Sequence, residues 1–426
     1  MKKEILEQIL SLKVNLLVNG FAITPENFER IKSKGFLKSL GRKGGAGPAG
    51  GRYFKFPNGS IVNTQIWIKE KKKKESGMGQ SKKQSPQVFI EDIKEDFQVL
   101  YDLLFPEDFP MTKIDSSVER VEKLIGRTYL SSLHIPLYLV KVPRYYCSDS
   151  EDGITYKKIA LMHGPETMAT TIHQTCRYWR GGQECDFCAI EKSLQLGATI
   201  ENKTGKQIVE TIKEAKKEDP RFAKHITLTS GTYSNDGKGV KHYIDVVSII
   251  KKEFPEIPIH IQIEPLKNKD WYNKLKKAGV DTIGIHLEIL NEDIRKEICP
   301  GKSHLSKEVY FEHWKEAISI FGKSQVSTFI IIGYENNLDK FKKNLEKVLE
   351  AGVVPVLTPV RYIPDLEKAT PKTSYREMLE ITLFVAKLCL KYGINPTKNK
   401  AGCIRCGGCS ALIDAYNLEN LKKSEQ

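Results

Sequence analysis

Three cysteines, Cys176, Cys185 and Cys188, stand in one short run, His173-Gln-Thr-Cys176-Arg-Tyr-Trp-Arg-Gly-Gly-Gln-Glu-Cys185-Asp-Phe187-Cys188. Three thiolates with no fourth beside them suit a cubane iron–sulfur cluster held at three of its irons. The remaining iron is then free for a ligand that is not protein. An aromatic residue, Phe187, directly precedes the last cysteine. The same donors also suit zinc, with His173 completing a tetrahedron. A disulfide fits less well. No signal-peptide pattern opens the sequence, and clustered cysteines in a reducing compartment point to metal.

A second triplet lies near the other end, Cys403-Ile-Arg-Cys406-Gly-Gly-Cys409. Its spacing matches the first three ligands of a ferredoxin-type run, without the Cys-Pro that usually follows. Cys299, Cys389 or Cys147 could supply a fourth ligand, or the position could stay open to substrate. Zinc with a distant fourth ligand is the alternative.

The elements that must position these groups alternate. A β-branched stretch at 169–173 reads as a strand leading into the first triplet. Helical periodicity follows at 204–218, with Ile208, Ile212 and Ala215 on one face. Strands are expected at 225–230, 257–264, 282–288, 326–332 and 354–360. Helices are expected at 240–254, 270–278, 306–321, 337–350 and 374–392. Six strands, each followed by a helix or by the terminal segment, imply a parallel sheet, either doubly wound or rolled into an incomplete barrel. Chemistry in such folds sits at the strand C-terminal ends. Those ends carry Ser230-Gly231-Thr232, Glu264, Glu288, Gly333 and Arg361. A carboxylate at Glu264 could accept bonds from a ribose hydroxyl or an ammonium group. His286 is expected on the same side of its strand as Glu288. Arg361 suits an anionic substrate.

The first triplet, with its aromatic residue before the last cysteine and a strand ahead of it, resembles the cluster loop of the radical S-adenosylmethionine (radical SAM) superfamily. The first gap departs from the usual pattern, holding eight residues where three are common. The resemblance implies a [4Fe–4S] cluster on Cys176, Cys185 and Cys188. Its free iron would bind the amino and carboxylate groups of S-adenosylmethionine, and reductive cleavage would give a 5′-deoxyadenosyl radical. It also resolves the fold to a partial (β/α)6 barrel, closest to the biotin synthase, lipoyl synthase and hydrogenase-maturase type. Ser230, Gly231 and Thr232 stand where relatives meet the amino group of the methionine portion, with a threonine where an acid is common. Arg295 resembles the arginine used against the carboxylate, a natural use of its fork. The strand ending at Gly333 resembles the one that contacts adenine. Several relatives carry an auxiliary cluster in a C-terminal extension, and the second triplet looks similar. A reductant protein such as a ferredoxin or flavodoxin is implied.

The expected organisation is therefore an α+β N-terminal domain over 1–164, a barrel core over 165–366, and a C-terminal helix with a cluster-binding extension over 367–426. The N-terminal part contains a glycine-rich loop from Gly41 to Arg52, with no Gly-Lys-Ser/Thr closing it. Net charge is +14, densest in the lysines of 69–74 with Lys82 and Lys83 beyond. That run suits RNA phosphates or, more simply, a solvated loop. No apolar run approaches membrane-spanning length, so the cytoplasm is the expected location. The leading reading is a radical SAM enzyme acting on a small-molecule or carrier-bound substrate, in cofactor biosynthesis or sulfur insertion. The alternatives are a tRNA-modifying radical SAM enzyme and a non-catalytic, zinc-stabilised RNA-binding or scaffold protein.

Overall fold

The computed structural model describes residues 3–23, 29, 51–68, 137–140, 142–361 and 373–425. It opens with helix α1 (Lys3–Asn19), then strands β1 (Phe21–Ile23), β2 (Arg52–Lys55), β3 (Ile61–Thr64), β4 (Ile66–Ile68) and β5 (Tyr138–Leu139). Strands β3, β2 and β5 form a three-stranded sheet, and β1 pairs with β4. The glycine-rich loop up to Gly50 and the basic run beyond residue 68 lie outside the described residues.

Helix α2 (Tyr156–Ile159) leads to β6 (Leu161–His163) and β7 (Thr167–His173). After β7 come the short helices α3 (Arg177–Arg180) and α4 (Ile190–Gln195). Then follow α5 (Gly205–Glu218), β8 (His225–Ser230), α6 (Asp236–Glu253), β9 (Ile259–Ile263), α7 (Asp270–Ala278) and β10 (Thr282–Ile285). The alternation continues through α8 (Glu292–Ile298), α9 (Lys307–Phe321), β11 (Val326–Ile332), α10 (Leu338–Glu350) and β12 (Val354–Pro359). Helices α11 (Tyr375–Lys391), α12 (Cys403–Cys406) and α13 (Leu412–Ser424) complete the chain.

Local chemistry sets these boundaries. Thr204 and Gln207 form a reciprocal capping box at the start of α5. Asn337 and Ser374 cap α10 and α11 with their side-chain oxygens. Gly279 stops α7 in the left-handed region, at φ 109°. The strands are rich in β-branched residues and buried on both faces, as a parallel sheet covered by helices requires.

The large sheet runs β12-β11-β10-β9-β8-β7-β6. Strands β7 to β12 are parallel in sequence order, and β6 adds an antiparallel edge to β7. Its first and last strands do not pair with each other, so the sheet curls into a partial barrel. This agrees with the expected α/β architecture, plus an edge strand, the helices α8 and α13 and the short helices α2, α3, α4 and α12 that the sequence reading did not contain. One difference matters for the site: β10 ends at Ile285, three residues before Glu288.

The boundary expected at 164–165 falls in the turn between β6 and β7. Ile9, Val14, Phe54 and Val62 from the N-terminal part belong to the same hydrophobic cluster as the barrel strands and helices. Lys13, on the apolar face of α1, is 1% exposed and donates to Asp414 of α13 at 2.6 Å.

The segment between α11 and α13 crosses the N-terminal ends of the barrel strands. Gln325 exchanges hydrogen bonds with the backbone of Lys398 and Lys400, and Thr282 donates to the carbonyl of Ala401. The N–H of Gly402 donates to His225 Nδ1. Gly402 has φ 90°, and a Cβ there would stand 2.4 Å from the His260 ring. Only glycine lets this loop lie so close under β9. The second cysteine triplet thus forms the floor of the barrel.

Candidate active site

The first triplet occupies the opposite end, at the strand C-terminal ends. Strand β7 hands the chain to Cys176 through Gln174 and Thr175. The Gln174 N–H donates to the Glu201 carbonyl at 2.7 Å, and its side chain to the Ile190 carbonyl at 3.0 Å. Glu191 accepts from the Thr175 hydroxyl and, at 3.2 Å, from the Cys176 N–H. The long first gap folds as α3 followed by a Gly181-Gly182 turn, with Gly182 at φ 65°. Gln183 and Asp186 then hydrogen-bond the backbone of Gly301 and Ile298. The extra residues therefore form a small anchored helix that leaves Cys185 and Cys188 facing Cys176 across the mouth.

Gly231 explains itself here. A Cβ on it would stand 1.9 Å from the Thr175 carbonyl oxygen and 2.9 Å from Cys176 Cβ. The Gly231 N–H donates to the His173 carbonyl, and the Thr232 carbonyl accepts from Arg177. The loop after β8 and the cluster loop are thus stitched together.

Between mouth and floor lies a cavity of about 410 Å³. Cys176, Cys185 and Cys188 line one end of it, and Cys403 and Cys409 the other. Its walls combine Ala169, Phe329 and Ile331 with Thr227, Thr229, Gln262, His286 and Arg361. Phe187, Ser230, Gly231, Thr232, Glu264 and Glu288 all line it as well.

The charged groups are arranged in pairs. Glu264 accepts from the Tyr178 hydroxyl at 3.2 Å. Burial raises the Glu264 pKa, against the pull of Lys302, Tyr178 and Arg177. Glu288 takes Lys302 Nζ at 2.7 Å, both side chains largely buried. Burial alone would lower the Lys302 pKa, but Glu288 and Cys185 raise it well above its usual value. Glu288 has φ 68°, a left-handed conformation that costs a non-glycine residue about 1–2 kcal/mol. Hydrogen bonds to Phe329 and Ile331 of β11 hold it there. The His286 Nδ1 accepts from the Phe329 N–H at 3.1 Å. Burial pushes its pKa well below 6.5, so the neutral ring presents Nε2–H, which has no partner.

Two expected site residues lie elsewhere. Arg295 is 1% exposed and does not line the cavity. Its guanidinium donates to the carbonyls of Lys302 and Leu305 and meets Glu292. It braces the loop that delivers Lys302, so Lys302 stands in the cavity where the sequence suggested Arg295. Gly333 also lies outside the cavity wall. A Cβ on it would stand 2.7 Å from Thr373 Oγ1, and its φ of 125° also favours glycine. Lys302, Tyr178 and Gln262 were not singled out from the sequence. Lys302 closely follows Cys299 and Tyr178 stands within the run of the triplet, which is the one signal that could have found them.

Among the described residues, no three His, Cys, Asp or Glu side chains close on one point as ligands of a single ion. A cubane differs from zinc in taking each thiolate at a separate iron. The first donor set fits it. Cys176 and Cys185 lie close enough to Cys188 to raise its pKa, which burial and these neighbours push up to about 12. The Ile190 N–H opposes this by donating toward the Cys188 sulfur. Bound iron would supply the missing positive charge.

A curled sheet of six parallel strands, with three thiols at the mouth of a central cavity, is the architecture of a barrel enzyme. Residues 180–348 match the model of the radical SAM superfamily, a span that takes in Cys185, Cys188 and strands β8 to β11. This match supports radical SAM superfamily membership for the matched span, and that family implies a [4Fe–4S] cluster and S-adenosylmethionine. Among curated relatives, the 5-amino-6-(D-ribitylamino)uracil–L-tyrosine 4-hydroxyphenyl transferase 2 of Methanosarcina acetivorans is 26% identical over 197 residues, covering 42% of this chain and 47% of the relative. The corresponding transferase 1 of Methanosarcina barkeri is 26% identical over 264 residues, covering 57% of this chain and 64% of its own. The chain thus spans roughly half to under two thirds of these relatives. Among solved structures, the FeFe-hydrogenase maturase HydG from Carboxydothermus hydrogenoformans superimposes with a TM-score of 0.43 at 15% identity, covering 53% of this chain and 52% of that one. No helix among the described residues is long and apolar enough to cross a membrane.

Proposed function

We propose that this chain cleaves S-adenosylmethionine reductively and turns the resulting radical on a small molecule held in the barrel cavity. The observation that carries the reading is the cavity itself, with Cys176, Cys185 and Cys188 at its mouth and a closed floor below. A [4Fe–4S] cluster on these cysteines would supply the electron that cleaves S-adenosylmethionine to methionine and a 5′-deoxyadenosyl radical. The chain's own residues do the rest. Ser230 and Thr232 offer oxygen atoms beside Cys176, suited to an ammonium group. Glu264, ordered by Tyr178, is placed to accept from hydroxyl groups. Lys302 offers a cation at the mouth. Phe329, Ile331 and Ala169 present C–H surfaces that exclude water from a reactive radical.

The cavity's volume suits a small molecule, or the small end of a carrier-bound one, arriving from the strand C-terminal side. The relatives that transfer a 4-hydroxyphenyl group from L-tyrosine point in the same direction, toward a polar aromatic or amino-acid-like substrate. A ferredoxin or flavodoxin in the cytoplasm would deliver the electron. We also infer that Cys403, Cys406 and Cys409 hold a second iron–sulfur cluster.

The test is anaerobic reconstitution with iron and sulfide, followed by a 5′-deoxyadenosine assay with dithionite. The wild-type chain is expected to make 5′-deoxyadenosine, and Cys188→Ala to make none. A colourless zinc protein without cleavage would leave the scaffold reading in place.

A further inference from the structure

Strands alternate their faces, so His260 and Gln262 on β9 and Thr282, Gly284 and His286 along β10 share the interior side of the barrel. Such interiors are usually filled by branched apolar residues. Here two imidazoles flank a glycine instead. A Cβ on Gly284 would stand 2.4 Å from His286 Cε1, 2.9 Å from His286 Nε2 and 3.2 Å from His260 Nε2. Both nitrogens therefore converge on the face of β10 that Gly284 leaves bare. A glycine inside a strand marks a close approach of this kind.

Neighbouring groups fix which nitrogen of each ring carries the hydrogen. The Phe329 N–H donates to His286 Nδ1 at 3.1 Å, so the neutral ring holds its hydrogen on Nε2. The Thr282 hydroxyl donates to the Ala401 carbonyl at 3.3 Å, and so accepts from His260 Nδ1, 2.7 Å away. His260 Nε2 is then a bare lone pair. Burial keeps both rings neutral, lowering His260 to about 3 and holding His286 well below 6.5. Among the described residues neither Nε2 atom has a partner, and both are buried. One donor and one acceptor thus face the same point. Thr227 pairs with His260 across β8 and β9, is 5% exposed, and carries a third buried polar atom without a partner. His286 and Thr227 line the cavity, and the His260 ring packs beneath against Gly402.

We propose that His286 Nε2–H and His260 Nε2 read one hydroxyl group, the first donating to its oxygen and the second accepting its hydrogen, and that the substrate is a hydroxyl-bearing small molecule. The inference rests on the proposed function and deepens it by naming the substrate class. Among oxygen groups, a hydroxyl both gives and takes a hydrogen bond through one atom. A carbonyl or ether oxygen would leave His260 unpaired, and an ammonium group would leave His286 unpaired. Water is the other source of the same chemistry, and it occupies the point until a substrate hydroxyl displaces it. A site built this way rejects an analogue that lacks the group, because its own buried polar atoms are then left unsatisfied.

The test uses the full chain, reconstituted anaerobically and labelled with ¹⁵N at histidine. Phenol is the hydroxyl probe and toluene its isosteric control. Nitrogen chemical shifts report each tautomer, with His260→Phe and His286→Phe supplying the assignments. His260 is expected as the Nδ1–H form and His286 as the Nε2–H form. Phenol should move both Nε2 resonances and bind about tenfold or more tightly than toluene, and either variant should erase that preference. If the variants disturb folding, the ratio of the two probes on the wild-type chain decides. Hydrogen on Nε2 of both rings would make two donors and overturn the hydroxyl assignment. Equal affinity for the two probes, with water still seated between the rings in crystals of the phenol complex, would show a structural water alone and overturn the substrate class. Formation of 5′-deoxyadenosine by the wild-type chain is read separately, and its absence would sink the radical reading whatever the two probes show.

Discussion

At the scale of single residues, the site depends on contacts too close to tolerate an added atom. Gly231→Ala would put a methyl group into the Thr175 carbonyl, forcing Cys176 away from its partners. Formation of 5′-deoxyadenosine should fall at least tenfold, with less iron bound and an unchanged circular dichroism spectrum. A variant with full iron and an unchanged rate would refute this account. Lys302→Met would leave Glu288 charged and unpaired in a dry wall, at a cost of about 3–5 kcal/mol. The double variant Glu288→Leu, Lys302→Met should recover most of that stability in urea titration. Equal losses in the single and double variants would show that the pair contributes nothing. These residues also mark where sequence reading stopped. Glu264 and Thr232 were legible because strand ends announce themselves. Lys302 was not, because its place depends on Arg295 turning inward to hold the loop that carries it.

At the scale of elements, the barrel was legible because each unit has its own signal. Thr204, Asn337 and Ser374 cap helices, and β-branched runs mark strands between them. Helix α8 is short and polar, so no periodicity betrayed it. The edge strand β6 spans three residues, below the length at which alternation can be read. The ion pair from α1 to α13 was invisible, since Lys13 and Asp414 stand at opposite ends of the chain. Their side chains are 1% and 3% exposed, so the pair is a clamp between elements and not a surface contact. Lys13→Met alone should destabilise the chain by about 3–5 kcal/mol and loosen the floor, lowering iron in the second site more than in the first. Adding Asp414→Leu should restore much of the stability. Metal analysis and urea titration of the two variants decide this, and an unaffected second site would count against the clamp.

At the scale of the whole molecule, three buried histidines make stability depend on acid. Burial holds His225 and His286 well below 6.5, and His260 falls to about 3. Each folded-state pKa is depressed, so the unfolded chain binds more protons in mild acid. The stability these rings support is complete above about pH 6.5 and is lost as pH falls toward their folded values. Moving from pH 7.5 to 5.5 should cost about 1.4 kcal/mol per histidine. Urea titration across that range checks it, and a flat profile would show that the folded chain takes up protons on these rings as readily as the unfolded one. The floor's position was the least legible feature of all. It joins residues 398–409 to strand starts as far back as Thr167, a contact that no local pattern encodes. That closure also dictates an order of events during synthesis. The ribosome releases the mouth cysteines and every barrel strand long before Cys409, and N-terminal segments begin to fold first. The nascent barrel is therefore an open tube, accessible from below, until its last residues emerge. On the second-cluster reading, metal delivery to the lower site would be the closing step of maturation, and a stalled or clipped chain would carry a finished mouth over a missing base.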